Sequence, residues 1–446
     1  MDRRSFLSRS ALAGALPAAS PREQSLVEAF DAMEIVDSHE HLLPEEARVA
    51  QHTDFFTLAG HYAMNDVTSA GLPAESLARI NSPETPLAER WRLFEPYWNH
   101  ARFTGYGQAL RTAIQDIYDF PVISGQTLPA INAAIQARNK PGLYRYVMKE
   151  RAKIRFAVVD DNYNAAPAKL DPEFFRVARK FDRFIAPGGA SGVRAAEKLT
   201  DVSIVSLSGL KQAAEKSFQQ SLEVGMVAVK STLAYSRELR YHEVSEADAS
   251  RDFDALLRGE RKAPAGFRAF TDRPFRQLED HMFHHVMKLA EAHGLPVQIH
   301  TGLTAGNGGW LTNSNPTHLT NLFYLFPKVR FDLFHIGYPY QGELSVLGKL
   351  FPNVFVDFCW VHVISPAVAC RTLHDYLETI PVNKIFAFGG DYRFPELTYA
   401  HAKMARRNVA RVLAEKVQEG FCTEKEALEI GALLLRDNAG RFFEAR

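Results

Sequence analysis

The chain has 446 residues, enough for one large domain or two ordinary ones, and its 46% hydrophobic content supports a substantial core. Lys plus Arg and Asp plus Glu both total 52, and no basic stripe occurs, which argues against nucleic acid as a partner. No apolar run reaches the roughly 18 residues that a membrane span needs, and the scattered Cys359, Cys370 and Cys422 show neither zinc-ligand spacing nor a disulfide framework, so they read as buried free thiols.

Residues 1–20 read as a twin-arginine signal: Arg3-Arg4-Ser5-Phe6-Leu7, then the weakly apolar Ala11 to Leu16, then the small residues Ala18-Ala19-Ser20. The expectation is a periplasmic or exported protein whose residues 21–446 form one barrel domain. Glu23 to Met33 predicts a short helix leading into Ile35-Val36-Asp37-Ser38-His39-Glu40-His41. This is a short apolar strand ending in His-x-His. Residues i and i+2 of a strand face the same side, so His39 and His41 point together and Glu40 points away. Two imidazoles at a strand end can share one metal ion. Residues 44–150 predict a mostly helical insertion after this strand. Such insertions roof the active sites of barrel enzymes. Its Trp91, Phe94, Tyr97, Trp98 and Tyr106 read mainly as the insertion's own core.

Alternation of apolar strands and amphipathic helices then resumes. Strands are predicted at Ile154–Asp160, Phe181–Ala186 and Met226–Ser231, with a helix at Leu207–Gln219. A polar insertion runs from about Tyr235 to Arg273, and a helix from Phe275 to His293 stops at Gly294. Strands at Pro296–His300, Val329–His335, Val354–Phe358 and Ile385–Phe388 alternate with helices at 316–326, 343–351 and 366–380. The fold class is therefore α/β. Eight such strands predict a closed (β/α)8 TIM-like barrel, with a helical insertion after strand 1 and a polar insertion after strand 4. No Gly-rich nucleotide loop follows the first strand, which disfavours an open doubly wound sheet.

Barrel chemistry sits at the C-terminal strand ends. Those ends carry His39 and His41, Lys230, His300, His335 and Asp391, each an ionisable residue at or just past an apolar run. The segments IVDSHEHL, MVAVKSTLAY, PVQIHTG, FDLFHIGYPY and FAFGGDY resemble the amidohydrolase superfamily, in the amidohydrolase family 2 branch that includes uronate-isomerase-like and decarboxylase-like enzymes. The resemblance implies a barrel holding one or two divalent ions, with zinc expected first and manganese or iron as alternatives. It implies that His39, His41, His300 and Asp391 are ligands. It makes His335 a ligand to a second ion or a catalytic histidine, and Lys230 a carboxylated bridge in binuclear members only.

A divalent ion activates water and polarises a carbonyl. Asp391 is placed to accept a proton and return it to the leaving group, and His335 to stabilise an oxyanion or shuttle a proton. Tyr235, Arg237, Tyr338 and Arg393 are candidates for holding the substrate, the arginines because a guanidinium suits a carboxylate. His281 and His285, spaced i, i+4 on a helix, read as packing residues. The leading expectation is a metal-dependent hydrolase acting on a small polar, carboxylate-bearing substrate at a C–N bond. The alternatives are a uronate-type isomerase or a decarboxylase on the same site, and lastly a non-catalytic binding protein. The expected partner is a small molecule, with no nucleic acid and no membrane; a homo-oligomer is compatible with the chain.

Overall fold

The computed structural model describes residues 20–160, 165–260 and 268–444. Eight parallel strands pair in sequence order: β1 (Ile35–Glu40), β2 (Ile154–Asp160), β3 (Phe175–Lys180), β4 (Met226–Ser231), β5 (Val297–Ile299), β6 (Phe331–Leu333), β7 (Val354–Asp357) and β8 (Ile385–Phe386). Strict sequential order, with helices described in every connection except that from β2 to β3, is the pattern of a (β/α)8 barrel. Its last seam is made beyond the short β8. Ser38 N–H donates to Phe388 O at 3.1 Å, Asp391 N–H to His39 O at 2.9 Å, and His41 N–H to Tyr392 O at 3.0 Å. The chain after β8 therefore lies along the end of β1, which puts Asp391 beside the His-x-His.

The period of two residues along a strand explains the interior. Phe156, Val158, Ala178, Ala228 and Phe386 form a lower apolar layer, and Ala439, Phe442 and Phe443 of the C-terminal helix Asn438–Glu444 plug it from below. Moving up by two residues replaces Val158 with Asp160, Ala178 with Lys180 and Ala228 with Lys230. The barrel is thus greasy at its base and ionisable at its mouth.

Helices fill the first insertion between Glu45 and Arg151. Trp91, Phe94 and Trp98 pack with Phe55 and Phe56 as that insertion's own core. Tyr106 departs from this reading. It stacks with Tyr62, which stacks in turn on Trp360 just past β7, at centroid separations of 5.1 and 4.7 Å. The insertion is anchored to the barrel by the buried Arg48, whose Nη2 lies 2.9 Å from Glu396 Oε1, an oxygen that also accepts from Tyr118 OH at 2.7 Å. In the polar insertion, Glu246–Arg258 is a helix.

One strand differs from the sequence expectation. The third is Phe175–Lys180, and Asp182–Ile185, inside the predicted strand, is a short helix. Its cations conceal it. The Arg176 guanidinium covers the Phe156 ring at 4.7 Å, Arg179 is buried with Nη2 donating to Ala165 O at 2.5 Å, and Lys180 pairs with Asp160. Of the cysteines, Cys359 is buried, whereas Cys370 and Cys422 are only half-buried; all three are free thiols. No described helix is long and apolar enough to cross a membrane. The twin-arginine motif lies outside the described residues.

Candidate active site

The end of β1 is built to turn two imidazoles towards Asp391. Its register against β2 shifts between Asp37 and Glu40, an irregularity of the kind that re-aims side chains near active sites. Asp37 Oδ1 accepts from the N–H groups of His39 at 3.2 Å and Gly390 at 2.9 Å, and Glu40 Oε2 accepts from Tyr392 N–H at 2.6 Å. Glu40 is used to hold the facing loop. That loop needs glycine: a Cβ on Gly390 would lie 1.8 Å from Glu40 Oε1. Asp391 itself adopts φ 58°, a left-handed backbone that its neighbours hold through the His39 carbonyl and a 2.8 Å bond from Tyr62 OH to Asp391 O.

The side chains then meet. Asp391 Oδ1 lies 3.1 Å from His41 Nε2 and 3.6 Å from His39 Nε2, and Oδ2 lies 4.0 Å from His335 Nε2. His41 Nδ1 is 3.8 Å from Asp160 Oδ2. Burial alone would raise the Asp391 carboxyl, but the His41 hydrogen bond and the His41, His39 and His335 charges hold it well below the usual range. His39 is driven well below its ordinary value, first by burial and then by Lys230 and His41. Neither of its ring nitrogens has a hydrogen-bond partner among the described residues. The following helix begins at Pro395, so Asp391 does not serve as its cap.

His300 and His335 form a second pair. His335 Nδ1–H donates to Cys359 O at 2.8 Å, and His300 Nε2–H donates to Leu303 O at 2.8 Å. A neutral imidazole has one N–H, so these carbonyls fix both tautomers. The remaining nitrogens, His335 Nε2 and His300 Nδ1, face each other at 3.0 Å with lone pairs only. Burial pushes His335 down to about 4 and His300 well below its ordinary value, which favours neutral rings. Two lone pairs at that distance repel unless a cation attracts both. His39 with its unpartnered nitrogens, the carboxylate at 3.1–3.6 Å and this pair together fit one or two divalent ions. Ligand bonds of about 2.0–2.2 Å on one tetrahedral ion leave donors roughly 3–3.6 Å apart.

Lys230 is buried with Nζ over the Phe334 ring at 3.4 Å, and Phe334 also packs on His39 at 4.8 Å. It makes no ion pair or hydrogen bond among the described residues. Burial lowers its amine, partly offset by Asp160 and Asp391. Tyr235 packs on His300 at 4.5 Å, and its hydroxyl accepts from Ala305 N–H at 3.0 Å. Tyr338 is half-buried, and its carbonyl accepts from Leu303 N–H at 2.7 Å.

The two predicted arginines part company. Arg237 is a correction: it is 1% exposed, with Nη1 3.0 Å from Glu279 Oε2 and Nη2 2.5 Å from Asp280 Oδ1, and Nη2 also donates to Arg240 O. Its guanidinium is spent on the neighbouring helix and does not reach the mouth. Arg393 is exposed and lines a cavity of about 760 Å3 together with His41, Asp160, Lys180 and His61. His281 and His285 stay apart from the site, His281 bonded to Val244 O and His285 beside Glu215.

Four residues of this cavity and its floor escape the sequence reading. Asp160 ends β2 and Lys180 ends β3, and Lys180 Nζ lies 2.7 Å from Asp160 Oδ2. The strand-end rule reaches Asp160 on the predicted second strand, and Lys180 once β3 is placed correctly. Cys359 carries a Sγ within 4.8 Å of ligand atoms of His335 and Asp391. His61 comes from the helical insertion, packs on Tyr62 at 4.1 Å and is held down at about 3 by burial and then His41; no sequence pattern marks it.

Residues 249–444 match the amidohydrolase family model. Protein fluG of Emericella nidulans is 28% identical over 225 residues, which is 49% of this chain and 26% of that protein; the matched stretch thus spans about a quarter of that relative. A uronate isomerase of Nostoc punctiforme is 21% identical over 464 residues, covering 92% of this chain and 93% of its own. The solved uronate isomerase of Thermotoga maritima superposes with a TM-score of 0.79 at 17% identity, covering 95% of this chain and 97% of that one. The structural likeness shows the barrel fold, and the family match supports the amidohydrolase superfamily.

Proposed function

We propose that the chain is a metal-dependent hydrolase of the amidohydrolase superfamily that cleaves a small carboxylate-bearing substrate at a C–N bond. The observation that carries the metal is the gathering of the His39, His41 and His335 ring nitrogens around the Asp391 carboxylate at 3.1–4.0 Å, with His300 Nδ1 3.0 Å from His335 Nε2. His39, His41 and Asp391 would hold an ion, with His300 and His335 at the same ion or a second one. The nitrogen-rich donor set with a carboxylate suits zinc first, then manganese or iron. A bound divalent ion supplies water activation and carbonyl polarisation.

The chain's own groups do the rest. Asp391 accepts the proton of the attacking water on its carboxylate and returns it to the leaving nitrogen. His335, with Nδ1–H tied to Cys359 O, presents Nε2 as an acceptor. In that tautomer it serves as ligand or proton acceptor and not as an oxyanion donor. Arg393 offers a guanidinium uncommitted among the described residues, which suits a substrate carboxylate. Burial that lowers the Lys230 amine favours carboxylation, which requires the neutral amine. Two ions per chain, falling below two in Lys230→Ala, is the result that this bridge requires.

A uronate-type isomerase on the same residues is the second reading, favoured by the full-length likeness to uronate isomerases. Reaction in 18O-labelled water separates the two. Hydrolysis places the label in the carboxylate product. An unlabelled product from an aldose-to-ketose conversion would overturn the hydrolase. The twin-arginine motif supports export to the periplasm, and full retention of an N-terminal reporter fusion in the cytoplasm would contradict it.

A further inference from the structure

The cavity that His41 and Arg393 line beside Asp391 is bounded by two unlike sets of residues. One carries His41, His61, Arg393 and the ion pair of Lys180 with Asp160 at 2.7 Å. The other is Leu42, Leu43, Pro44, Val159 and Leu170. Leu42 and Val159 are each 3% exposed, so this wall is continuous with the core. A polyhydroxylated acid carries hydroxyls around its whole body. Those laid on Leu42, Leu43, Val159 and Leu170 would lose water and gain no hydrogen bond from these side chains, which is unfavourable for each one. An alkyl or aryl body gains from the same surface. The volume of about 760 Å3 lies in the range of sites that enclose drug-sized ligands.

Resting on the reading of this cavity as the substrate site, we infer that the substrate is an amphipathic carboxylate: its anionic group lies towards Arg393 and Lys180, and its alkyl or aryl body lies on the wall of Leu42, Leu43, Val159 and Leu170. An N-acyl amino acid with an apolar acyl or side-chain group is of this class. A uronate is not. Arg393 then fixes orientation, and the apolar wall sets the preference among carboxylates.

The test is a binding series on the metal-loaded protein, using butanoate, hexanoate, octanoate, benzoate and glucuronate in calorimetry. Affinity is expected to rise about fourfold per added methylene, with glucuronate binding more weakly than hexanoate. Leu43→Asn, and separately Leu170→Asn, flatten the chain-length slope, while Arg393→Met weakens all members alike. A flat series in the unaltered protein, or glucuronate binding more tightly than hexanoate, overturns the inference whatever reaction the enzyme performs. The hydrolase reading is checked separately with N-hexanoyl and N-benzoyl amino acids in labelled water. A steep binding series with no label in any product overturns hydrolysis and leaves the amphipathic substrate class standing.

Discussion

The two sides of the barrel mouth use similar residues in opposite ways. On the side of β1, β2 and β8, His39 has two unpartnered nitrogens and Arg393 makes no bond among the described residues. His41, Asp160 and Lys180 face the cavity. On the side of β4 to β6, Tyr235 accepts from Ala305 and Arg237 is locked to Glu279 and Asp280, while His300 and His335 each spend one nitrogen on a backbone carbonyl and keep the other for a ligand. The difference teaches that a strand-end residue type marks a site only where the fold leaves it an open valence. A buried polar group is normally satisfied by its own protein, so one that is not calls for a ligand.

The largest effect expected is at the residue that joins the two sides. Asp391→Asn should lower kcat by about 10⁴-fold, the upper end for a positioned acid–base group, in a protein whose far-UV spectrum is unchanged. His335→Gln should cost about 10²-fold or more in kcat and lower the metal content as well; unchanged metal content would confine His335 to proton transfer. The arginines give a sharper contrast. Arg237→Met should destabilise folding by about 3–5 kcal/mol, because it leaves buried carboxylates unpaired, with KM unchanged in the folded fraction. Arg393→Met should raise KM about 10- to 100-fold, the loss of a charged hydrogen bond, with Tm unchanged. An exchange of these two phenotypes would break the comparison between the sides.

A pH slope follows from the buried carboxyls of β7 and β1. Burial, partly offset by hydrogen bonds from Ser38 and Cys359 and by the Lys230 charge, raises the Asp357 carboxyl from 3.8 to about 7. The folded chain keeps that proton where the unfolded chain has released it. The resulting stability is fully present below about pH 4 and is lost as pH rises through about 7. Asp37, also raised to about 7 chiefly by burial, acts in the same direction. Urea midpoints of metal-free protein should therefore fall between pH 4 and 7, and Asp357→Asn should reduce the slope while Asp37 preserves part of it. A midpoint that climbs over that interval would contradict the assignment.

Most of the barrel is legible in the chain because β-branched apolar runs such as Ile154 to Val159 and Val354 to Val356 cannot be mistaken for solvent-facing segments. β3 is not, because Arg176, Arg179 and Lys180 give FRVARK a surface composition. Only the fold shows that one cation lies on a phenylalanine and another pairs with Asp160. That misplacement hides Lys180. Histidines and Asp391 at strand ends are legible because the topology fixes their side of the barrel. Arg237 fails the same reasoning because its partners, Glu279 and Asp280, lie more than forty residues away on another helix. His61 reaches the mouth only through the packing of the insertion, and local sequence carries no trace of that.

The central claim is that the His39–His41 strand end is a metal site, and metal content tests it most directly. Purified protein, reconstituted with zinc and passed over a desalting column, should retain at least one ion per chain. The double variant His39→Ala, His41→Ala, shown to be folded by circular dichroism, should retain close to none. A folded double variant that keeps the full complement of metal would contradict the account.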